Sequence, residues 1–307
     1  MSDTARQLRL GHITEHEDPW RLNVDLHCHS LYSDGILDPA SLVQRAHDNG
    51  VQALALTDHD EIAGVAAAKV RADELGMVFL PGVEISVSWA HTTLHIVGLR
   101  VDPENAALKA GLAAIRDGRD ARARAMSDSL AAAGVSGAYE GALQYVGNPS
   151  LISRTHFARF LVEQGHCDHV RDVFQKYLTP GKPGYVEHEW AKLSDAVGWI
   201  QGAGGSAVIA HPGRYRLSDV SLWALLEEFR EAGGEALEVI TGSHTRQQYH
   251  RFARLAIEYG FRASRGSDFH GPKESRVDLG ELPPLPDSVV PLWHDWDELR
   301  SLSEALV

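Results

Sequence analysis

The sequence has few cysteines and no long apolar run, and both scarcities exclude classes of protein. Two cysteines, Cys28 and Cys167, with no C-x-x-C pair, cannot build a disulfide framework among 307 residues. No apolar run of about 18 residues occurs, so we expect no transmembrane span. The N-terminus also lacks the apolar segment of a signal peptide. Together these features predict a cytoplasmic protein that does not associate with a membrane.

Positive charge and nucleotide fingerprints are scarce too. The chain has 29 Lys and Arg against 42 Asp and Glu, a net charge of −13, which argues against a broad surface that coats nucleic acid. It contains no G-x-G-x-x-G, P-loop or G-x-S-x-G motif, so we expect neither ATP- or NAD-dependent chemistry nor a serine nucleophile. Residues 103–190 carry ten basic and ten acidic residues, and an anionic substrate could be received in this neutral region.

What the chain does have is histidine, 17 residues in all, and several of them end strand-like runs. Val24 to His29 alternates like a strand, which places His27 and His29 on one face. Imidazole is the commonest protein ligand for transition metals, and two on one face form half a site. The pattern recurs at later runs, which end at His59, at Glu84, at His95, at His211, and at Asp268 with His270. This repetition predicts a metal site.

The hydrophobic pattern predicts an α/β fold. Strand-like runs lie at 23–28, 51–57, 78–86, 93–101, 205–210, 235–240 and 261–266. Helical patterns that end before glycine separate most of them, which favours parallel strands joined by right-handed crossovers. Seven such strands favour a barrel, and the residues with metal-binding side chains lie at the carboxyl ends of the strands, where barrel active sites are built.

The strand–helix alternation stops between Asp102 and Glu187, where Pro103–Ala133 resembles one long helix. We therefore predict a distorted (βα)7-type barrel formed by residues 21–102 and 188–307. A helical insertion of residues 103–187 would cover the barrel mouth as a lid or substrate domain. Residues 1–20 are predicted to be a flexible leader without a function of its own.

The order of these motifs, from His27-x-His29 to Asp268-x-His270, resembles the PHP (polymerase and histidinol phosphatase) phosphoesterases. The likeness extends from Asn23 to about His270 and is strongest to the stand-alone bacterial branch, whose members act on nucleotide phosphates and on RNA 5′ ends. The resemblance implies nine metal ligands, and the chain has all of them: His27, His29, Asp34, His59, Glu84, His95, His211, Asp268 and His270.

The resemblance also implies how these ligands would be shared among two or three divalent cations, with Mn favoured and Fe or Zn as alternatives. One site would use His27, His29, Asp268 and Glu84, and a second would use Asp34, His59 and His270. A third would use His95 and His211, with Glu84 bridging. A hydroxide bridging the metals, held by Glu84, would attack phosphorus. His244 is a candidate general acid.

Substrate contacts are predicted mainly in the insertion. Arg154 and His156 belong to the segment Ser153–Arg159, and Arg154 could hold a phosphate with two parallel hydrogen bonds. Lys182 lies in a constrained Gly-Lys-Pro turn, Arg214 follows His211 closely, and His244 ends a strand. We assign supporting positions to further residues: Asp25 and Asp58 orient imidazoles, Asp60 caps the next helix, and Arg116, Arg119, Arg122 and Arg124 form a solvated helix face.

The residues by themselves predict phosphate-ester hydrolysis, and the resemblance supplies the substrate. It implies removal of the 3′-phosphate from nucleoside 3′,5′-bisphosphates. A 5′→3′ exoribonuclease acting on short 5′-phosphorylated RNA is the first alternative, followed by a histidinol-phosphate phosphatase. A catalytically silent, metal-stabilised scaffold like those appended to polymerases is the last. The expected partner is a small anionic nucleotide or a short RNA 5′ end, and no protein partner is evident.

Overall fold

Seven strands, paired in sequence order, curl into a nearly closed barrel. The structure, a computed structural model, describes residues 22–305, so the predicted leader at 1–20 lies outside the described residues. The barrel closes where the Leu26 N–H donates to the Arg265 carbonyl over 3.1 Å. This confirms the predicted α/β barrel. The strands are β1 Val24–Asp25, β2 Ala53–Leu56, β3 Val78–Trp89, β4 Thr92–Leu99, β5 Ser206–Ile209, β6 Ala236–Thr241 and β7 Arg262–Gly266.

Helices cover the outside of the barrel and form the insertion. They are α1 Pro39–Asp48, α2 Val65–Leu75, α3 Ala106–Asp117, α4 Arg119–Ala132, α5 Ala138–Leu143, α6 Arg154–Glu163, α7 Val170–Val173, α8 Leu193–Gly202, α9 Asp219–Glu231, α10 Arg246–Tyr259 and α11 Asp297–Ala305. Strands β2 and β6 are buried along their whole length, because helices cover one face and side chains fill the other. Within the described residues, no helix is both long and apolar enough to cross a bilayer.

Local sequence signals explain several helix ends. Helix α1 begins where the Asp38 side chain accepts hydrogen bonds from the Ala40 and Ser41 N–H groups, and α2 ends at Gly76 with a φ of +67°. However, α2 begins at Val65 rather than at Glu61, so Asp60 does not cap it. The Asp60 carboxylate instead accepts from the Ser86 N–H and pairs with Arg119.

Strand β4 is an exception to the predicted parallel arrangement, since it is antiparallel to both β3 and β5. Only Ala90 and His91 separate β3 from β4, and a two-residue loop can join only antiparallel neighbours. Both residues have positive φ values, 45° and 60°, as the twist of a tight hairpin requires. The sequence lacks the Asn-Gly or Asp-Gly pair that would have revealed this turn.

Two helices, α3 and α4, occupy the segment of the insertion where one long helix was predicted. Gly118 separates α3 from α4, and a Cβ at this position would lie 2.7 Å from the His188 ring, so the chain turns there with close packing. Leu108 and Leu112 of α3 belong to the main hydrophobic core. Residues from Ala123 onward form a separate core, which includes Met126, Leu130, Phe157, Leu161 and Leu178. The domain boundaries at 102/103 and 187/188 stay a prediction.

Candidate metal centre

The nine predicted ligands lie together at the mouth of the barrel. His27 and His29 follow β1, His59 follows β2, and His211 follows β5, so the parallel strands deliver these side chains at their carboxyl ends. Glu84 and His95 come from the middle of β3 and β4, which pair as a hairpin. Three further side chains arrive on loops, and these are Asp34, Asp268 and His270.

Glu84 lies at the centre of this cluster. Its Oε2 is 2.9 Å from His59 Nδ1 and 3.3 Å from His29 Nε2. Its Oε1 is 2.9 Å from His95 Nδ1, 3.0 Å from His211 Nε2 and 3.4 Å from His27 Nε2. One buried carboxylate therefore faces five imidazoles, and both of its oxygens could serve cations.

The first predicted donor set has the spacing of a metal site. His27 Nε2 and His29 Nε2 are 3.2 Å apart, and Asp268 Oδ1 is 3.6 Å and 3.3 Å from them. Ligand atoms bound tetrahedrally at about 2.1 Å from a cation lie about 3.4 Å from one another. The donor atoms of His27, His29 and Asp268 match that spacing without rearrangement, whereas Glu84 approaches His27 with Oε1 and His29 with Oε2.

The other donor sets are more open and share members. Asp34 Oδ1 is 3.3 Å from His270 Nε2 and 3.9 Å from His59 Nε2, and His29 lies in the same group. His95 and His211 both approach Glu84 Oε1, as predicted for a third site. However, the mutual distances do not put His95 and His211 in one group. Glu84 and His95 form a group with His59, and Glu84 and His211 form another with His27.

Unpaired buried atoms within the cluster show that its residues suit cations. Asp34 Oδ1, Glu84 Oε2 and His211 Nδ1 are buried, and each lacks a hydrogen-bond partner among the described residues. A buried carboxylate oxygen without a partner is costly unless a cation compensates it. The mixture of imidazole and carboxylate donors suits Mn, Fe and Zn alike.

Electrostatics keep the carboxylates of the cluster ionised. Burial opposes the ionisation of Glu84, but His59, His95 and His27 outweigh it and hold the pKa of Glu84 well below its usual range. Burial, helped by His270, lowers the pKa of His29 to about 3, so this imidazole is neutral, as a ligand must be. In contrast, Asp34 outweighs burial at His270 and raises its pKa to about 9. Metal binding at His270 would therefore release a proton.

Sequence reasoning missed Glu238, which bonds two of the candidate ligands. Its Oε1 lies 2.7 Å from His27 Nδ1, and its Oε2 accepts a hydrogen bond from the His211 N–H over 2.5 Å. Such a partner fixes the tautomer and the direction of a ligating imidazole. The available signal was a single carboxylate within the otherwise uncharged strand β6.

Asp25 and Asp58 do not bond imidazoles directly, which corrects their predicted role. Asp25 accepts from the backbone N–H groups of Ser267 and Gly280. Asp58 accepts from Ser30 and from the Ser33 hydroxyl, which lies 3.5 Å from His29 Nδ1. Both aspartates therefore hold the loops that carry the ligands rather than the ligands themselves.

Two arginines flank the cluster. Arg214 Nη1 donates to Asp268 Oδ2 over 2.8 Å, while 48% of its side chain is exposed to solvent at the mouth. Arg154, at the start of α6, is half-buried, and its guanidinium has a ring contact with Phe174 but no hydrogen bond or ion pair within residues 22–305. Burial and the neighbouring Arg214 lower the pKa of Arg154. An anion would relieve this repulsion.

The arginines of α3 and α4 do not form the predicted solvated face. Arg119 is buried against Asp60, and Arg116 donates to the Asp60 carbonyl. Arg122 is also buried, its guanidinium lies 5.2 Å from the centroid of the Trp190 ring, and burial, together with Arg154 and Arg119, lowers its pKa to about 9. Only Arg124, with 60% of its side chain exposed, fits the prediction.

The remaining predicted substrate contacts receive little support from their positions. His244 uses both ring nitrogens, since Nδ1 bonds the Val239 carbonyl and Nε2 accepts from the Gly213 N–H, and burial lowers its pKa to about 4. It thus has no free proton to donate to a substrate. His156 is fully buried, and its Nδ1 accepts from the Ser153 N–H. Lys182 lies on an exposed turn, and its predicted contact stays a prediction.

A barrel whose mouth holds a shared cluster of imidazoles and carboxylates defines a metal-dependent hydrolase architecture. The sequence model of the PHP domain family matches residues 25–245. The chain belongs to the PHP family, which confirms the resemblance seen in its motifs.

Relatives cover nearly the whole chain. It is 52% identical to a 3′,5′-nucleoside bisphosphate phosphatase from Chromobacterium violaceum, over 89% of this chain and 96% of the relative. It is 40% identical to a 5′-3′ exoribonuclease from Haemophilus influenzae, over 88% of this chain and 97% of the relative.

Two solved structures share the fold. One is an amidohydrolase from Chromobacterium violaceum with bound sulfate and no metal, at a TM-score of 0.87 and 52% identity, covering 91% of this chain and 96% of that chain. The other is a candidate metal-dependent phosphoesterase from Bifidobacterium adolescentis, at a TM-score of 0.75 and 26% identity, covering 92% and 95%.

Proposed function

We propose that this protein is a metal-dependent phosphoesterase that removes the 3′-phosphate from nucleoside 3′,5′-bisphosphates. The observation that carries the proposal is the complete cluster of nine ligands beside two arginines, Arg154 and Arg214, in a chain 52% identical to a 3′,5′-nucleoside bisphosphate phosphatase. The cluster supports hydrolysis of a phosphate ester, and the relative supports the choice of substrate.

The metal ligands would be the nine clustered residues, and two or three divalent cations bound there would supply an activated water and neutralise phosphate charge. Mn is the metal we propose first, with Fe and Zn as alternatives. Glu84 shares its oxygens among the donor sets, and Glu238 holds His27 in the direction needed for ligation. The composition and the small anionic substrate favour a place in the cytoplasm.

Arg154 and Arg214 would bind phosphate oxygens of the substrate. Arg214 is anchored to Asp268 through one nitrogen, which leaves the rest of its half-exposed guanidinium for a ligand. Arg154 has no acidic partner among the described residues, so a phosphate would satisfy a guanidinium that the protein itself leaves unpaired. Residues 103–187, which carry Arg154, would then act as a substrate domain over the mouth.

A second candidate function is 5′→3′ exoribonuclease activity on short 5′-phosphorylated RNA. The 40% identity to an exoribonuclease of nearly the same length supports it, and the same cluster could hydrolyse a phosphodiester. The smaller identity places this candidate second.

A phosphate- and nucleotide-release screen with added Mn separates the candidates. The substrates are a 3′,5′-bisphosphonucleotide, a short 5′-phosphorylated RNA and histidinol phosphate. We expect inorganic phosphate chiefly from the bisphosphonucleotide. Mononucleotides released from the RNA at a higher kcat/KM would favour the second candidate, and release only from histidinol phosphate would refute both.

A further inference from the structure

The metal ligand Asp34 depends on the insertion for its orientation. Asp34 lies in an irregular loop between β1 and α1, so no strand or helix fixes its backbone. Its two oxygens face different partners. Oδ1 points to His270, His59 and His29 at 3.3, 3.9 and 3.8 Å, while Oδ2 accepts a hydrogen bond from the Thr155 hydroxyl over 2.8 Å.

Thr155 belongs to helix α6, whose N-terminus is already capped without it. The N-cap is Ser153, whose N–H donates to His156 Nδ1 over 3.0 Å and whose hydroxyl lies 3.1 Å from the same nitrogen. The Thr155 hydroxyl therefore has no capping role. The Thr155 hydroxyl donates its hydrogen bond to Asp34 instead.

The same helix holds the loop of a second ligand. Arg159, one turn after Thr155, donates to the Asp34 carbonyl over 2.5 Å and to both oxygens of Glu274 over 2.8 Å each. Glu274 lies in the turn that follows His270. The loop that carries Asp34 and the loop that carries His270 are thus both hydrogen-bonded to one face of α6.

We propose that helix α6 is a structural part of the metal centre, in which Thr155 is a positioning residue that turns Asp34 Oδ1 toward the cation. The inference rests on the proposed ligation of a metal by Asp34, His59 and His270. Without the Thr155 hydroxyl, Asp34 Oδ2 would lose its short hydrogen bond. The Ser153 hydroxyl, 3.5 Å from Oδ2, is too far away to replace it. The carboxylate would then be free to rotate, and the site would lose a preorganised ligand.

Binding of Mn²⁺ alone tests the proposal without any substrate. The full-length protein and its variants are stripped with chelator and dialysed against buffered free Mn²⁺, and bound Mn per chain is measured by elemental analysis. In Thr155→Val, we expect one Mn per chain to bind about 10- to 100-fold more weakly, as for other partners of metal ligands. The remaining Mn should bind as in the wild type.

Three further variants keep the result interpretable. Thr155→Ser retains the hydroxyl and should restore the wild-type isotherm, and Thr155→Ala should reproduce the loss if valine does not fit. The matched control is Thr179→Val, because Thr179 lies in the same insertion and its hydroxyl makes no hydrogen bond within the described part of the chain.

An unchanged isotherm for Thr155→Val and Thr155→Ala would overturn the proposal, as would equal weakening of every site. The outcome is separable from that of the proposed function. Selective Mn loss in a protein that releases no phosphate from a bisphosphonucleotide would leave the role of Thr155 intact, whereas release with unchanged isotherms would refute only Thr155.

Discussion

At the scale of single residues, buried carboxylates divide into those that face cations and those that hold the ligands in place. Glu84 directs both oxygens at imidazoles, whereas Glu238 bonds the far nitrogen of His27 and the backbone of His211. Asp34 combines the two roles, one with each oxygen. Ligand geometry in this centre is therefore set by neighbours as much as by the ligands.

Replacing Glu238 with glutamine should weaken metal binding without removing a ligand. The amide is a weaker acceptor for the His27 N–H than the carboxylate, so His27 becomes less basic and less firmly oriented. We expect a loss of about 10- to 100-fold in metal affinity, measured by equilibrium dialysis. Glu235→Gln is the control, because the Glu235 carboxylate lies at the surface, where it accepts a hydrogen bond from the Ser206 hydroxyl. Equal affinities in the two variants would show that Glu238 has no such role.

Replacing Arg154 with alanine should impair substrate binding while metal content stays unchanged. A charge-assisted contact to phosphate in a partly desolvated site contributes a few kcal/mol, so we expect kcat/KM to fall roughly a hundredfold. The measurement is steady-state phosphate release together with elemental analysis.

Arg124→Ala is the control for Arg154→Ala. Arg122 would be unsuitable, because it is buried close to Arg154 and its loss would disturb packing against Trp190. Arg124 is exposed and pairs with Asp120 one turn away. If both variants kept full activity, the guanidinium of Arg154 would not bind the substrate.

The clustering of the nine candidate metal ligands could be predicted from the sequence because each lies beside a recognisable strand or in a short local motif. His27 and His29 are two residues apart just after β1, and Asp268 and His270 repeat that spacing after β7. Glu238 was missed because its partners are 211 and 27 residues away, and no local pattern encodes such a pair. Arg119 was misassigned for the same reason, since its partner Asp60 lies in a different part of the chain.

At the scale of helices and strands, some helix ends could be predicted from local sequence signals. Features that depend on packing between distant residues could not. The ends of α2 and α10 follow from Gly76 and Gly260, which adopt the left-handed conformation. The hairpin of β3 and β4 was missed because Ala90 and His91 are not typical residues for a turn with positive φ. At Gly118, between α3 and α4, a Cβ would lie 2.7 Å from the His188 ring, and no local pattern reveals packing against a residue 70 positions away.

Helix α10 offers a test of local stability that is independent of the metal centre. Thr245 caps it by accepting from the Gln248 N–H, while the Gln248 side chain bonds the Thr245 N–H in return. Thr245→Ala should cost about 1 kcal/mol in the free energy of unfolding, since one helix N–H loses its partner. For a chain of this length, we expect Tm to fall by about 2 °C in thermal unfolding.

The comparison for Thr245→Ala is Gln247→Ala, an exposed position on the same helix. That variant should unfold at the wild-type temperature or slightly above it, because alanine is the better helix former. Phosphate release should be the same in both proteins. A Tm for Thr245→Ala that matched the wild type would mean that solvent replaces the cap without cost.

At the scale of the whole molecule, folding and metal binding should be coupled. The cluster gathers buried carboxylates and imidazoles from every part of the barrel, so cations that bind only the folded chain stabilise it by mass action. At a free Mn concentration about 100 times the Kd, this amounts to about 2.7 kcal/mol per site. Thermal unfolding with Mn should therefore occur several degrees higher than with excess chelator. A Tm that did not respond to chelator would contradict the proposed metal centre.

The reversed direction of β4 has a mechanical consequence for the insertion. Because β4 runs opposite to its neighbours, the chain leaves the barrel at the end remote from the mouth, where Leu99 pairs with Ser206. Helix α3 therefore runs along the outside of the barrel toward the mouth. Helix α8, which follows the insertion, runs back toward the start of β5. The two helices pack against each other so closely that a Cβ on Gly111 would lie 2.5 Å from the Trp199 ring. A movement of the insertion that separated α3 from α8 would break this packing, whereas a bend at Gly118, between α3 and α4, would leave it intact.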